Sequence, residues 1–167
     1  MAQLKLRTKS LSPEELETNR KTREHIDTVA TVIDGLISEL NDRIVNHDAS
    51  KLEDPELTMF TKFSNRLKDL VYGTPEYKKC LADMGPALDH HYANNRHHPE
   101  YHDNGIDDMN LIDVLEMIAD WKASTLRYKD GDIIDSIAIN KKRFGISDQL
   151  AKIIENTVPL LNRNIEK

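Results

Sequence analysis

SPEELETNRKTREHIDTVATVIDGLISELNDRIVNHDASK, residues Ser12 to Lys51, carries a helix start, a long apolar stripe and an adjacent His-Asp pair. Ser12 offers a hydroxyl N-cap, Pro13 takes the first helical position, and Glu14 and Glu15 put negative charge in the first turn. His25, Val29, Val32, Ile33, Leu36, Leu40 and Ile44 follow at the three- and four-residue spacing of a buried helix face. The stretch closes on His47-Asp48, an imidazole beside a carboxylate at the expected end of a helix.

The same periodicity continues downstream. A second helix is expected over Asp54 to Tyr72, through Leu57, Phe60, Phe63, Leu67 and Leu70, with Gly73 as its stop. Thr74-Pro75-Glu76 repeats the start signature, and the helix it opens is interrupted at Gly85-Pro86. Asp107 to Asn110 introduces a further helix with Leu111, Val114, Leu115 and Ile118 facing inward and Trp121 nearby. A shorter one is expected from Asp132 to Lys142, and Ser147 caps a last one that should end near Pro159. No hairpin signal, convincing strand or internal repeat interrupts this pattern, so the expected architecture is an all-α, single-domain helical bundle over residues 12–167, preceded by a loose segment, 1–11.

The bulk composition narrows the function classes. The chain has 167 residues, a formal net charge of -6 and a pI near 5.6, so no global positive field draws it to duplex nucleic acid or an acidic membrane. Cys80 is the only cysteine, which excludes an internal disulfide and fits a reducing compartment. No apolar run approaches the ~20 residues of a membrane span, and MAQLKLRTKS at the N-terminus lacks the apolar stretch of a signal peptide. A cytoplasmic protein is expected.

Five of the seven histidines fall between His90 and His102, in HHYANNRHHPEYH. Imidazole is the commonest protein metal ligand, and the order His25, His47-Asp48, histidine cluster, Asp120 suggests a catalytic metal site assembled from several helices. Geometry constrains this. His25 and His47 are 22 positions apart, ~33 Å on one straight helix, so joint ligation requires the chain to reverse between them, near Gly35 or at Asn41-Asp42. A core histidine is the plainer reading of His25 alone, and His47 could simply meet the carbonyls of a helix end. His90 and His91 project about 100° apart on a helix. The stripe Tyr77, Leu81, Met84, Leu88 favours His91 for the interior, but Pro86 can reset that phase, and both remain candidates. Of His97 and His98, before Pro99, one is expected to ligate, and His98 is carried forward; His102 is expected in solvent. Asp120 is a candidate ligand and Glu116, one turn earlier, a partner of the ligands or a proton acceptor. Arg96, Lys122 and Arg127 read as surface cations, and Lys51, three residues past Asp48, as the best phosphate contact.

His25, His47-Asp48 and Asp120 in that order resemble the HD superfamily of all-helical, metal-dependent phosphohydrolases. HDASK, Tyr72-Gly73, the HH…N.HH block and EM.ADW look like a small HD-like family of bacteria and their phages, over roughly residues 22 to 145. The resemblance implies that His25, His47, Asp48 and Asp120 share a divalent ion, that Asp48 can bridge to a second one, and that the histidines around His90 to His98 hold that second ion. Imidazole-plus-carboxylate ligation suits Mn, Fe, Co, Ni or Zn. The expected function is hydrolysis of a nucleotide or other small phosphoester by a metal-activated water, with Asp48, Glu116 and Lys51 as catalytic residues. The alternatives are a non-catalytic nucleotide- or partner-binding protein with a structural metal, and a diiron oxygenase on a related helical fold.

Overall fold

A computed structural model describes residues 10–68, 70, 71, 74–128 and 130–162, excepting the side chains at 64–68 and 81. The described residues are all helical, with α1 Pro13–Asn46, α2 Glu56–Lys68, α3 Pro75–Asn94, α4 Leu111–Thr125, α5 Ile133–Phe144 and α6 Asp148–Leu161. Short 3-10 turns lie at Ala49–Leu52, Pro99–Tyr101 and Gly105–Asp108. No helix among these residues is long and apolar enough to cross a membrane. Tyr72, Gly73 and most of the N-terminal segment expected to be loose lie outside what the structure describes, as do the side chains of Leu67 and Leu81. By its contacts the chain divides into two compact units, up to Asn41 and from Asp42 onward.

The first unit is helical from Pro13. Ser12 Oγ accepts from Glu15 N at 3.2 Å while the Glu15 carboxylate accepts from Ser12 N at 2.7 Å, which closes a reciprocal cap on the expected start. Two expectations fail here. α1 runs unbroken for 34 residues, so the chain does not reverse between Gly35 and Asp42. A lone glycine in a helix costs about 1 kcal/mol, too little to break one of this length. The stripe through Val29, Val32, Ile33, Leu36 and Ile44 is also not a buried face: those side chains are 41 to 74% exposed, and no residue of α1 is buried.

The second unit holds the core. Val114, Met117 and Ile118 of α4 pack with Ile133 and Ile137 of α5 and Ala151, Ile154 and Val158 of α6, and the Trp121 ring stacks on Phe144. Burying each of the larger aliphatic side chains contributes about 1.5–3 kcal/mol. α4 is rotated slightly from the expected phase: Leu111 is 75% exposed and Ile112 is buried in its place, because Asn110 caps the helix with Asp113 at N3 and that box sets where the first turn points. A smaller cluster of Phe63, Cys80 and Met84 joins α2 to α3. α2 begins at Glu56, two residues later than expected, with Asp54 Oδ1 accepting from Thr58 N at 3.1 Å. α3 is kinked at Gly85, whose φ of 26° breaks the helical path one residue before Pro86. α6 continues two residues past Pro159 to Leu161.

One buried charge cluster ties the elements that carry the histidines. Asp113, fully buried in α4, accepts from Arg43 Nη1 at 2.9 Å and from Arg96 Nε and Nη2 at 3.2 and 3.0 Å. Arg96, its side chain 40% exposed, is therefore tied to a buried carboxylate rather than being an ordinary surface cation. His102 belongs to the same cluster: its side chain is only 5% exposed and Nε2 bonds the Arg96 carbonyl at 2.9 Å, which corrects the expectation of a solvent residue.

Candidate metal centre

His47 and Asp48 follow directly on α1. Asp48 takes the left-handed conformation, φ 56°, which terminates the helix and turns its carboxylate back beside the preceding imidazole. Aspartate tolerates this conformation better than most residues with a Cβ. α3 supplies His91. After it, Asn95 leaves the helix in an extended conformation, a turn closes from His98 N to Asn95 O at 3.1 Å, and Pro99 starts the next 3-10 turn. Because this segment is not helical, adjacent residues can converge: the His97 and His98 rings lie 4.2 Å apart. α4 adds Glu116 and Asp120, one turn apart on one face.

Two groups of ligand atoms share Asp48. Asp48 Oδ1 faces His91 Nε2 at 3.5 Å and His97 Nε2 at 3.6 Å, and His98 Nε2 is 2.8 Å from His91 Nε2. Asp48 Oδ2 faces His47 Nε2 at 3.6 Å, and Asp120 Oδ1 lies 3.8 Å from that nitrogen. Asp48, His91, His97 and His98, and separately His47, Asp48 and Asp120, are near enough to hold a metal ion. Asp48 Oδ1 and His97 Nε2 are buried without a hydrogen-bond partner. Such orphaned atoms are expensive in a protein interior and are what coordination would satisfy. The donor set therefore fits divalent transition ions.

Glu116 stands behind this group. Its Oε1 accepts from His47 Nδ1 at 2.9 Å and from His97 Nδ1 at 3.1 Å, which orients both rings with Nε2 toward Asp48. Burial raises the Glu116 pKa, but the bonds from His47 and His97 outweigh it and hold the carboxyl at about 2. The carboxylates of Asp120 and Glu116 push His47 up to about 10. At 3.8 Å the Asp120 contact is an ion pair, not a hydrogen bond. Burial, with His97 and His91 alongside, pushes His98 down to about 3, so its ring is neutral with a lone pair to offer. Lys51 Nζ lies 2.5 Å from Asp48 Oδ2 and 5.4 Å from the Phe60 ring centroid. Burial raises the Asp48 pKa and the Lys51 ammonium more than offsets this.

These values set a pH dependence. His47 is ordinarily half-protonated near 6.5; raised to about 10, its charged form adds stability in full below 6.5, and that contribution is lost as pH rises through 10. A divalent ion bound by His47 must displace that proton, so its affinity should strengthen about tenfold per pH unit between roughly pH 7 and 9. Calorimetry in buffers of different ionisation enthalpy should find about one proton released per ion. A flat pH profile would exclude His47 as a ligand.

Of the residues singled out by sequence, His47, Asp48, His91, His98, Asp120, Glu116 and Lys51 come together. His25 is exposed on α1, and neither it nor His90 belongs to any group of neighbouring ligand atoms among the described residues. His97 joins the group beside His98, where one of the two was expected. Its burial, 2% exposed, carries no local sequence signal.

A family model matches residues 14–160. The chain belongs to DUF5662, a family of unknown function. The match spans α1 through most of α6 and so takes in every residue of this chain's candidate metal centre. Neither a curated protein nor a solved structure matches the chain.

Proposed function

We propose that this DUF5662 protein is a metal-dependent phosphohydrolase acting on a nucleotide or another small phosphoester. The observation that carries the reading is the pair of buried, unpartnered atoms, Asp48 Oδ1 and His97 Nε2, facing each other at 3.6 Å among imidazoles of which His47, His91 and His97 have Nδ1 engaged by Glu116 or Glu56. One or two divalent transition ions fit the two groups, and Asp48 contributes an oxygen to each. When bound there, such an ion lowers the pKa of a water toward neutrality and polarises a phosphoryl oxygen.

The residues of the chain divide the remaining work. The histidine-rich group is closed in, with His91 and His97 side chains 3% and 2% exposed, whereas His47, Asp48 and Asp120 are 31%, 19% and 24% exposed. Substrate would reach the centre from the latter side, where open coordination separates a catalytic site from a structural one. Lys51 stands at that edge, 34% exposed, and would neutralise a phosphate oxygen. Glu116 holds His47 and His97 in place, and with its second oxygen accepting from Arg43 Nη1 at 3.3 Å it would act through those imidazoles. The likeness of His47-Asp48 and Asp120 to the HD superfamily supports the same class, although His25, the first histidine of that order, stands outside the centre. The lone cysteine fits a cytoplasmic setting.

The test is a screen of mono-, di-, tri- and cyclic nucleotides and simple phosphoesters with protein loaded in turn with Mn, Fe, Co, Ni and Zn. Hydrolysis, read as free phosphate or as the shortened or ring-opened nucleotide, is expected with at least one substrate, rising as pH approaches neutrality. Tight nucleotide binding without turnover would instead make the chain a sequestering protein whose ion is structural, and oxygen consumption would make it a diiron oxygenase.

A further inference from the structure

Glu56 lies in the first turn of α2, where an acidic residue ordinarily does no more than complement the helix dipole. Here no part of it reaches solvent. Its two oxygens are divided between neighbouring histidines of α3: Oε1 accepts from His90 Nδ1 at 2.7 Å and Oε2 from His91 Nδ1 at 2.9 Å. Asn95 Nδ2 donates to Ser50 Oγ at 2.7 Å and to the His91 carbonyl at 2.8 Å, which encloses the same corner.

A carboxylate only accepts hydrogen bonds, so both Nδ1 atoms must carry the proton. The Asn95 amide nitrogen 3.0 Å from His91 Nδ1 is a second donor facing a donor and does not compete for that role. With Nδ1 protonated, a neutral His91 presents a bare Nε2, which accepts from His98 Nε2 at 2.8 Å in the ion-free protein and lies 3.5 Å from Asp48 Oδ1. The same carboxylate engages His90, whose side chain is 40% exposed, and holds it outside the centre.

We propose that Glu56 is the positioning residue of the histidine pair: it locks His91 in the tautomer that offers Nε2 to the metal centre and uses His90 as its second anchor. Its effect on ion affinity rests on the metal reading above. The tautomer does not, because it is a property of the ion-free protein.

The experiment exploits that separation. Long-range nitrogen–proton NMR on ion-free protein should show Nδ1-protonated rings at both His90 and His91. In Glu56→Gln the amide can accept from only one of them, so one ring should change tautomer, and the dissociation constant for Co²⁺ should rise about 10–100-fold, as expected for loss of a group that orients a ligand. Glu56→Asp should recover part of that loss. Should Glu56→Gln fail to fold, His90→Gln and His91→Gln decide the same point: the first should keep Co²⁺ affinity within about threefold and the second should lose most of it. An Nε2-protonated His91 in the native protein, or equal losses from the two histidine variants, would overturn the proposal. Native protein that binds no Co²⁺ would defeat the metal reading, while the NMR tautomers would still decide what Glu56 does.

Discussion

Asp48→Ala should leave the protein with less than about a tenth of an equivalent of divalent ion, against at least one equivalent in the native chain reconstituted with Mn, Fe, Co or Zn. The size of the effect follows from how Asp48 is shared. Its Oδ1 faces His91 and His97 Nε2 at 3.5 and 3.6 Å, and its Oδ2 faces His47 Nε2 at 3.6 Å, so one truncation removes an anionic donor from both groups. Among the described residues, no other belongs to both the histidine-rich group and the group with Asp120. Backbone geometry supplies a control. Asp48 is left-handed at φ 56°, where alanine costs about 1–2 kcal/mol and asparagine is tolerated. Asp48→Asn should therefore lose ion with little loss of stability, and Asp48→Ala should lose both. Elemental analysis paired with thermal unfolding separates the effects. Native protein below a tenth of an equivalent after all four reconstitutions would end the metal reading.

The second large effect is kinetic and splits two residues of one site. Lys51 contacts Asp48 and the Phe60 ring but belongs to no ligand group, so Lys51→Ala should raise KM about tenfold with kcat nearly unchanged, as for a contact made equally in ground and transition states. Asp120 is in the group with His47 and Asp48, so Asp120→Ala should lower kcat on the order of 100-fold through loss of ion. Steady-state kinetics with metal held at about one equivalent reads both. If Lys51→Ala lowered kcat as much as Asp120→Ala, Lys51 would act on the transition state or on the Asp48 carboxylate, and its role as a ground-state phosphate contact would fall. Excess metal that restores Asp120→Ala would identify weakened binding, rather than altered chemistry, as the cause.

Helix starts were legible from residue order alone. Ser12, Thr74, Asp132 and Ser147 each stand where the structure places a cap, because capping is decided by one side chain and the two or three amides after it. The inward face of α4 at Val114 and Ile118 was legible for a similar reason, since periodicity is a property of a single helix. Gathering His47 and Asp48 as one unit required only that they be adjacent.

Other features were not local and could not be read that way. An apolar stripe on α1 says that one face is greasy but not what covers it, and Gly35 raises the cost of a helix without ending it. The choice between His90 and His91 turns on a carboxylate 34 and 35 residues away in sequence, and the convergence of His97 with His98 on a turn whose geometry Asn95 and Pro99 set together. Glu56 looks like any first-turn acid until α2 and α3 are side by side. Residue order thus settled where helices begin and which side chains were chemically able to bind an ion, because caps and donor atoms act within a few residues. Which nitrogens face Asp48 was decided by packing between helices, because a tautomer depends on whatever partner the fold brings to the far side of the ring.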